Sequence, residues 1–203
     1  MDDVTAAPAI AFAVRRASCL LACAILAMPA TVAVGANAAQ PSAVEASDPA
    51  LQVKAAYLYK FAGYVEWPSG VFASEDSPIV IGVIGNDELE AILSRMVVGK
   101  TAGRRPLVTR RMEAQDPLQG VHMLFVGAMD TRTLQAIGDA VRGKPVLVVS
   151  DAGQERTLDS MISFDLIDRH LRFDVALKPV ASSGLELRAL MLTAARRVVR
   201  GAP

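Results

Sequence analysis

Three short runs of aliphatic residues, spaced by segments that resemble helices, most constrain the fold of this chain. They occupy residues 79–84, 121–126 and 146–149 and are almost continuously apolar. Strands with one wet face alternate polar and apolar side chains, whereas strands buried on both faces read as unbroken apolar runs. The three runs therefore predict central strands of a parallel sheet with helices on both faces.

Helix signals flank these runs. Asp87, with Glu90 as its reciprocal partner, predicts the start of one helix, and residues 130–131 begin another. A further capping pattern at residues 183–186 predicts a final helix that continues to about Arg200. The predicted inward-facing residues of that final helix are Leu187, Leu190, Met191, Ala194 and Val198.

Three weaker strands complete the predicted sheet. Residues 107–112 indicate a short edge-like strand, and residues 161–167 and 171–175 alternate with period two about a polar turn. That alternation is typical of an antiparallel hairpin with one wet face. The predicted fold class is α/β: a three-layer domain with a mostly parallel central sheet, extended by a C-terminal antiparallel hairpin, with helices on both faces.

Residues 53–68 contain all three tyrosines and the only tryptophan of the chain. At about 100° per residue, a helix would gather the apolar side chains on one broad face, with Lys54 as the one charged residue inside it. Pro68 would end this helix, because the residue before a proline is disfavoured in the α conformation. The predicted apolar face contains Val53, Tyr57, Phe61 and Tyr64, widened by Leu51, Leu58, Ala62 and Val65.

Two interpretations of this aromatic helix stay open. It packs on the sheet as a core helix, or some of its rings remain exposed and bind a partner, since Tyr and Trp are enriched at interfaces. On the second interpretation the candidate partner-binding residues are Tyr59, Tyr64 and Trp67.

Residues 1–38 are predicted to be a signal peptide. An arginine pair precedes a long apolar stretch, and Ala36-Asn37-Ala38 supplies a small-x-small cleavage site. The alternative is a retained membrane anchor, since an apolar stretch of about 18 residues could just span a bilayer. Residues 39–50 are predicted to form a flexible leader and residues 51–203 one α/β domain.

Composition excludes several kinds of chemistry. Both cysteines, Cys19 and Cys23, lie in the predicted signal peptide, so the exported domain would contain no disulfide and no thiolate. The formal net charge is zero, which gives no support for nucleic-acid binding. His122 and His170 are far apart in sequence, and without cysteine they offer no metal-ligand pattern. No cofactor is predicted.

Two strand ends carry residues that could line a ligand crevice. Gly85 and Asn86 follow the first apolar run, and Ser150 and Asp151 follow the third, at the edge where open α/β sheets bind ligands. The alternative is a pair of ordinary turns, one of them leading into a capped helix. A nucleophilic Ser150 would need a base within reach, and neither histidine stands in a recognisable order with it.

Four arginines, at positions 104, 105, 110 and 111, flank the edge-like strand. Their guanidinium groups could bind a carboxylate-rich partner or a phosphate. Equally, charges on an edge strand keep it from pairing with other chains.

A set of segments carries a resemblance to a known family: residues 53–61, 65–68, 81–85, 122–126, 145–151, 161–164, 172–173 and 184–187. The sequence Val65-Glu66-Trp67-Pro68 is the most specific of them. Together they resemble the YfiR-like (YfiR/HmsC-type) periplasmic regulators over residues 51–199.

The resemblance implies a non-enzymatic regulator. Such proteins bind the periplasmic sensor domain of an inner-membrane diguanylate cyclase and repress it, which lowers cyclic di-GMP and biofilm formation. The resemblance also implies a homodimer, and an outer-membrane lipoprotein that sequesters the regulator. Val121 stands where members often have a cysteine, so we expect no thiol switch here.

Two rival functions remain open at this point. One is a periplasmic sensor domain that binds a small molecule in the crevice near Gly85 and Ser150. The other is an exported serine hydrolase that uses Ser150.

Overall fold

Helices and strands alternate along the chain, as the apolar runs predict. The computed structural model describes residues 48–201; the predicted signal peptide and the predicted leader as far as residue 47 lie outside these residues. The helices are α1 (Pro49–Ala62), α2 (Asp87–Val97), α3 (Thr131–Val141), α4 (Glu155–Leu158), α5 (Leu177–Ser182) and α6 (Ala189–Ala194). The strands are β1 (Val65–Glu66), β2 (Ile79–Ile84), β3 (Thr101–Ala102), β4 (Arg105–Met112), β5 (Met123–Val126), β6 (Leu147–Asp151), β7 (Ile162–Ile167), β8 (His170–Ala176), β9 (Glu186–Leu187) and β10 (Arg197–Val199).

The three apolar runs lie side by side, as β2, β5 and β6, at the centre of an eight-stranded sheet of order β10-β8-β7-β6-β5-β2-β4-β3. The strands from β4 to β7 are parallel to one another, and β8 returns antiparallel beside β7 as the predicted hairpin. A separate two-stranded sheet pairs β1 with β9. The predicted three-layer α/β fold is confirmed.

Alternate side chains of the central strands enter two separate cores. Val83 of β2 joins Leu58 of α1 and Leu93 of α2 in the larger core. Its neighbour Ile84 joins Ile137 of α3 in the smaller core on the other face. All of these side chains are almost fully buried, and each contributes about 1.5–3 kcal/mol of transfer free energy to folding.

The start of α1 lies within the predicted leader. The carboxylate of Asp48 accepts a hydrogen bond from the Ala50 N–H at 2.9 Å and caps the helix. Pro49 follows in the first turn, where its missing N–H costs nothing because that donor has no partner inside a helix.

The predicted end of α1 before Pro68 is wrong. The helix ends at Ala62, and the N–H of Gly63 closes its last turn by donating to the Lys60 carbonyl at 2.9 Å. The following residues form β1, whose partner β9 lies far along the chain. Tyr64 and Trp67 therefore flank a strand and are not part of the helix.

The predicted buried face of α1 is also partly wrong. Val53 is 43% exposed, because it lies nearly opposite the residues that centre the buried face, Leu51, Ala55 and Leu58. Lys54 lies on the buried side, as predicted, with only 15% of its side chain exposed.

The predicted C-terminal helix is wrong as well. Ser183 does not begin a helix: its hydroxyl donates back to the Val180 carbonyl at 2.7 Å, at the end of α5. Gly184 then takes a φ of +71°, which reverses the chain into β9. Between Gly184 and residue 201, where the description of the structure ends, only the short α6 is helical. Leu190, predicted inward, is 62% exposed, and Met191 is buried as predicted.

Two helix caps show how local hydrogen bonds set the boundaries. Asn86, and not Asp87, caps α2 by accepting from the Leu89 N–H at 2.9 Å. Glu90 is unavailable as the predicted reciprocal partner because it accepts a hydrogen bond from the Thr109 hydroxyl at 2.8 Å. At α3 the predicted cap Asp130 is confirmed.

Candidate functional site

A hollow of about 760 Å³ opens beside the only tryptophan of the chain. We call it the Trp67 hollow. It lies between the end of α1, β1, the loop of residues 68–77 and the turn that joins β3 to β4. Its side-chain walls are formed chiefly by Glu66, Trp67, Phe72, Glu75, Arg104, Arg105 and Arg188.

The aromatic wall of the hollow is a layered stack. The Phe72 ring lies parallel to the His122 imidazole, with centroids 4.4 Å apart and an interplanar angle of 11°. The Arg105 guanidinium also lies over the Phe72 ring, 3.7 Å from its centroid. Trp67 meets Phe72 edge-on at 5.8 Å, and its indole N–H donates to the His122 carbonyl at 3.3 Å. The stack therefore fixes the loop that carries Phe72.

His122 holds this stack on the sheet as a neutral imidazole. Its Nδ1 accepts a hydrogen bond from the Val80 N–H at 3.1 Å, an arrangement that a protonated ring could not make. Burial lowers the pKa of His122, and the nearby positive charge of Arg105 lowers it further. The histidine joins β2 to the start of β5 and is not a candidate base.

Positive charge is in excess around the hollow. Arg105 donates to the carbonyls of Ser74 and Ser77 at 2.8 and 2.9 Å, which fixes the guanidinium but does not neutralise it. Arg188 pairs with Glu66 at 3.0 Å through its Nε. With Arg104, three arginines face the two glutamates of the lining, in a chain whose formal net charge is zero.

The three predicted partner-binding residues are all half-buried, but they do not form one surface. Trp67 lines the hollow. Tyr64 lies beside it, where its carbonyl accepts from the Arg188 N–H at 2.9 Å. Tyr59 packs against the larger core from α1 and does not line the hollow.

The four predicted crevice residues are also separated. β5 lies between β2 and β6, so Gly85 and Asp151 are about two strand spacings, roughly 10 Å, apart. Met129 occupies the space beside Gly85, and the side chain of Asn86 caps α2. Asp151 pairs with Lys54 at 2.6 Å.

Ser150 lies far from either histidine. It is fully buried, and its hydroxyl bonds to that of Ser160 at 2.8 Å. In the register of β5 with β6 it stands opposite Val126, four residues beyond His122, or about 13 Å along the strands. His170 is exposed at the start of β8, where its Nδ1 is hydrogen-bonded to the Asp168 carbonyl. No nucleophile and base meet at Ser150.

The acids of the hairpin face are occupied by arginines. Asp174, whose side chain is 8% exposed, accepts from Arg196 at 2.6 Å and from Arg197 at 2.7 Å. Asp165 takes a further contact from Arg196 at 3.0 Å. The hydrogen bonds from Arg196 are the main cause of a lowered pKa at Asp174. Within residues 48–201, no three acidic, histidine or cysteine side chains group so as to hold a metal ion.

The four arginines near β4 divide into two pairs. Arg104 and Arg105 line the Trp67 hollow, whereas Arg110 donates to the Gln119 carbonyl at 3.3 Å and Arg111 pairs with Asp87. β4 lies near the edge of the sheet as predicted, since β3 covers only its first two residues.

Residues 51–196, more than half of the chain, match the YfiR/HmsC-like family. This chain belongs to the YfiR/HmsC-like family. Members are periplasmic, non-enzymatic regulators of diguanylate cyclase pathways. None of the helices in residues 48–201 has the length and hydropathy of a membrane span.

A crystal structure of a Burkholderia pseudomallei protein described as pilus assembly-related is also similar to this YfiR/HmsC-like chain. The two are 20% identical, and the match covers 60% of this chain and 77% of that one with a TM-score of 0.29. Nothing about function is inferred from a similarity this low.

Sequence reasoning missed two side chains of the hollow in this YfiR/HmsC-like domain, Phe72 and Arg188. Phe72 stands in a polar loop without periodicity, and Arg188 in a segment predicted as helix. The available signals were Trp67 and the pair Arg104 and Arg105, which the sequence already indicated as candidate binding residues.

Proposed function

We propose that this YfiR/HmsC-like protein binds the periplasmic sensor domain of an inner-membrane diguanylate cyclase and holds the cyclase inactive. Membership of the family over residues 51–196 carries the proposal. The Trp67 hollow supports it, because it presents half-buried aromatic rings beside arginines, the residue types that dominate interface energies. We propose Trp67 and Tyr64 as contact residues, with Tyr59 at the margin.

Repression requires a difference in affinity between two states of the sensor domain. A partner that binds both states equally shifts nothing, however tightly it binds. Moving a sensor from mostly active to mostly inactive takes about 5 kcal/mol of preference for the inactive state. A few well-packed aromatic and arginine contacts reach that range, since single interface residues often contribute 2 kcal/mol or more.

The protein would reach its partner by export. We propose that residues 1–38 are removed and that the mature protein starts near Ala39; the intact mass of protein from the periplasmic fraction tests this. The domain would act without a cofactor, as a homodimer, and an outer-membrane lipoprotein would release the cyclase by sequestering the regulator. Sedimentation of the mature protein tests the dimer.

Deletion of the gene tests the central proposal. Cyclic di-GMP should rise in the deletion strain and return to the parental level when wild-type protein is supplied. Trp67→Ala should fail to restore it although the protein accumulates, whereas Val98→Ala, at a site that is 77% exposed and does not line the hollow, should restore it. An unchanged cyclic di-GMP level on deletion would exclude the proposed role.

A further inference from the structure

We propose that the Trp67 hollow receives a protein segment that carries a carboxylate next to an apolar side chain, with Arg104 and Arg188 binding the carboxylate. This inference rests on the proposed function and specifies the part of the cyclase sensor domain that the regulator recognises. Trp67 and Phe72 would pack against the apolar neighbour.

The charges of the hollow favour an acidic occupant. Arg104 is exposed and forms no ion pair within residues 48–201. The contact of Arg188 with Glu66 uses Nε, so its remaining N–H groups are free to donate to a second carboxylate in the planar geometry that guanidinium groups favour. A basic or neutral segment would leave this excess charge uncompensated.

The aromatic wall is already ordered for binding. Phe72 stacks on His122 and is also covered by Arg105, and the Trp67 indole N–H donates to the His122 carbonyl. Rings that are fixed before association lose little conformational entropy when a partner packs on them. The wall therefore offers an apolar contact at low entropic cost beside the arginines.

The shape of the hollow favours a protein over a small molecule. More than half of its lining residues are solvent-exposed, including Glu66, Ser69, Glu75 and Arg104. A small ligand is typically buried over about 70–90% of its surface, which so open a hollow cannot provide by itself. A protein surface would cover the rim while one of its segments fills the hollow.

Binding to a purified cyclase sensor domain tests the inference. The probes are the periplasmic domains of the inner-membrane diguanylate cyclases encoded in the same genome. The regulator is labelled with 5-fluorotryptophan, which gives a single fluorine resonance because Trp67 is the only tryptophan. Binding should shift that resonance, and added salt should weaken binding as it screens the arginines.

Charge reversal gives the decisive comparison. Arg104→Glu should weaken binding about 10-fold or more and reduce its dependence on salt. Arg132→Glu, the same charge change at an exposed residue of α3 outside the hollow, should bind like wild type. Because Arg104 is exposed, neither variant should alter the urea midpoint.

Four outcomes would overturn the inference. If Arg104→Glu binds as tightly as wild type, or if the fluorine resonance does not move on binding, the partner contacts another surface and the proposed function survives. If phenylacetate shifts the resonance but the bound sensor domain does not, the hollow takes a small ligand instead. If no sensor domain binds wild type, the proposed function and the inference fail together.

Discussion

The ammonium group of Lys54 lies 2.6 Å from the carboxylate of Asp151, a residue 97 positions further along the chain. The contact joins α1 to the carboxyl end of β6, and the Lys54 ammonium also lies 5.8 Å from the centroid of the buried Phe125 ring. These contacts explain why a lysine stands within the apolar face of α1. Its ammonium group lies over the buried Phe125 ring and pairs with the Asp151 carboxylate at the end of β6.

The loss in free energy of unfolding should depend on which partner of this pair is removed. Asp151→Asn leaves the ammonium of Lys54, 15% exposed, without its counter-charge and should lower the free energy of unfolding by about 2 kcal/mol. Lys54→Met should cost less, because methionine fills the same apolar path and Asp151 is the more exposed partner. Urea denaturation followed by Trp67 emission measures both.

The exposed pair of Asp139 with Arg142 supplies the control. Both side chains are about two-thirds exposed, at 68% and 70%, so Asp139→Asn should change stability by less than about 1 kcal/mol. Equal losses for Asp139→Asn and Asp151→Asn would contradict the role given to the Lys54 pair.

Gly127 is required by the close approach of the chain after β5 to the chain after β2. A Cβ at position 127 would lie 2.6 Å from the carbonyl oxygen of Gly85, a backbone atom that cannot rotate away. Gly127→Ala should therefore destabilise the domain by about 1–3 kcal/mol. Gly201→Ala, where a Cβ meets nothing, should leave the urea midpoint in place. A stable Gly127→Ala variant would disprove this account.

His122 should make stability fall in mild acid. Because its pKa in the folded protein is lowered from 6.5, the unfolded chain takes up the proton first, and stability falls as the pH drops below that value. We expect a loss between about pH 7 and pH 5. His122→Asn keeps an acceptor for the Val80 N–H but cannot titrate, so its stability should change less over this range. An identical slope in both proteins would refute the prediction.

Asp174 should affect the stability of the protein at a lower pH than His122 does. Its folded-state pKa lies below 3.8, chiefly because Arg196 donates to it, so its contribution is full above that pH and is lost as the pH falls through the folded value. Asp174→Asn should cost about 2 kcal/mol at neutral pH, and the difference from wild type should shrink in strong acid. Asp165→Asn, which meets only the partly exposed Arg196, should cost under about 1 kcal/mol.

The predictions that succeeded rest on local burial. The runs that became β2, β5 and β6 have no polar face, so only the middle of a covered sheet suits them. The hairpin of β7 and β8 followed from alternation on either side of a polar turn. In both cases the decisive information lies within one short stretch of consecutive residues, at most the fifteen from Ile162 to Ala176.

The predictions that failed depend on distant partners. Tyr64 to Trp67 fit a helical pattern, but pairing of Val65 with Leu187 draws this segment into a strand. Residues 183–200 also fit a helix, yet the reversal at Gly184 and the pairing of Arg197 with Asp174 divide them. The Trp67 hollow could not be predicted as a whole, because its walls come from four separate parts of the chain; only Trp67, Arg104 and Arg105 were identified as candidate binding residues.

The place of β10 in the sheet has a consequence for how the polypeptide acquires its structure. Arg196 and Arg197 form ion pairs with Asp174, whose side chain is buried in β8 and which stands some twenty residues earlier in the chain. While the chain emerges during synthesis or secretion, that carboxylate has no counter-ion until the arginines follow. We therefore expect the edge of the sheet that contains β8 and β10 to fold last. A chain truncated just before Arg196 should remain a partly folded intermediate in which this edge is not packed.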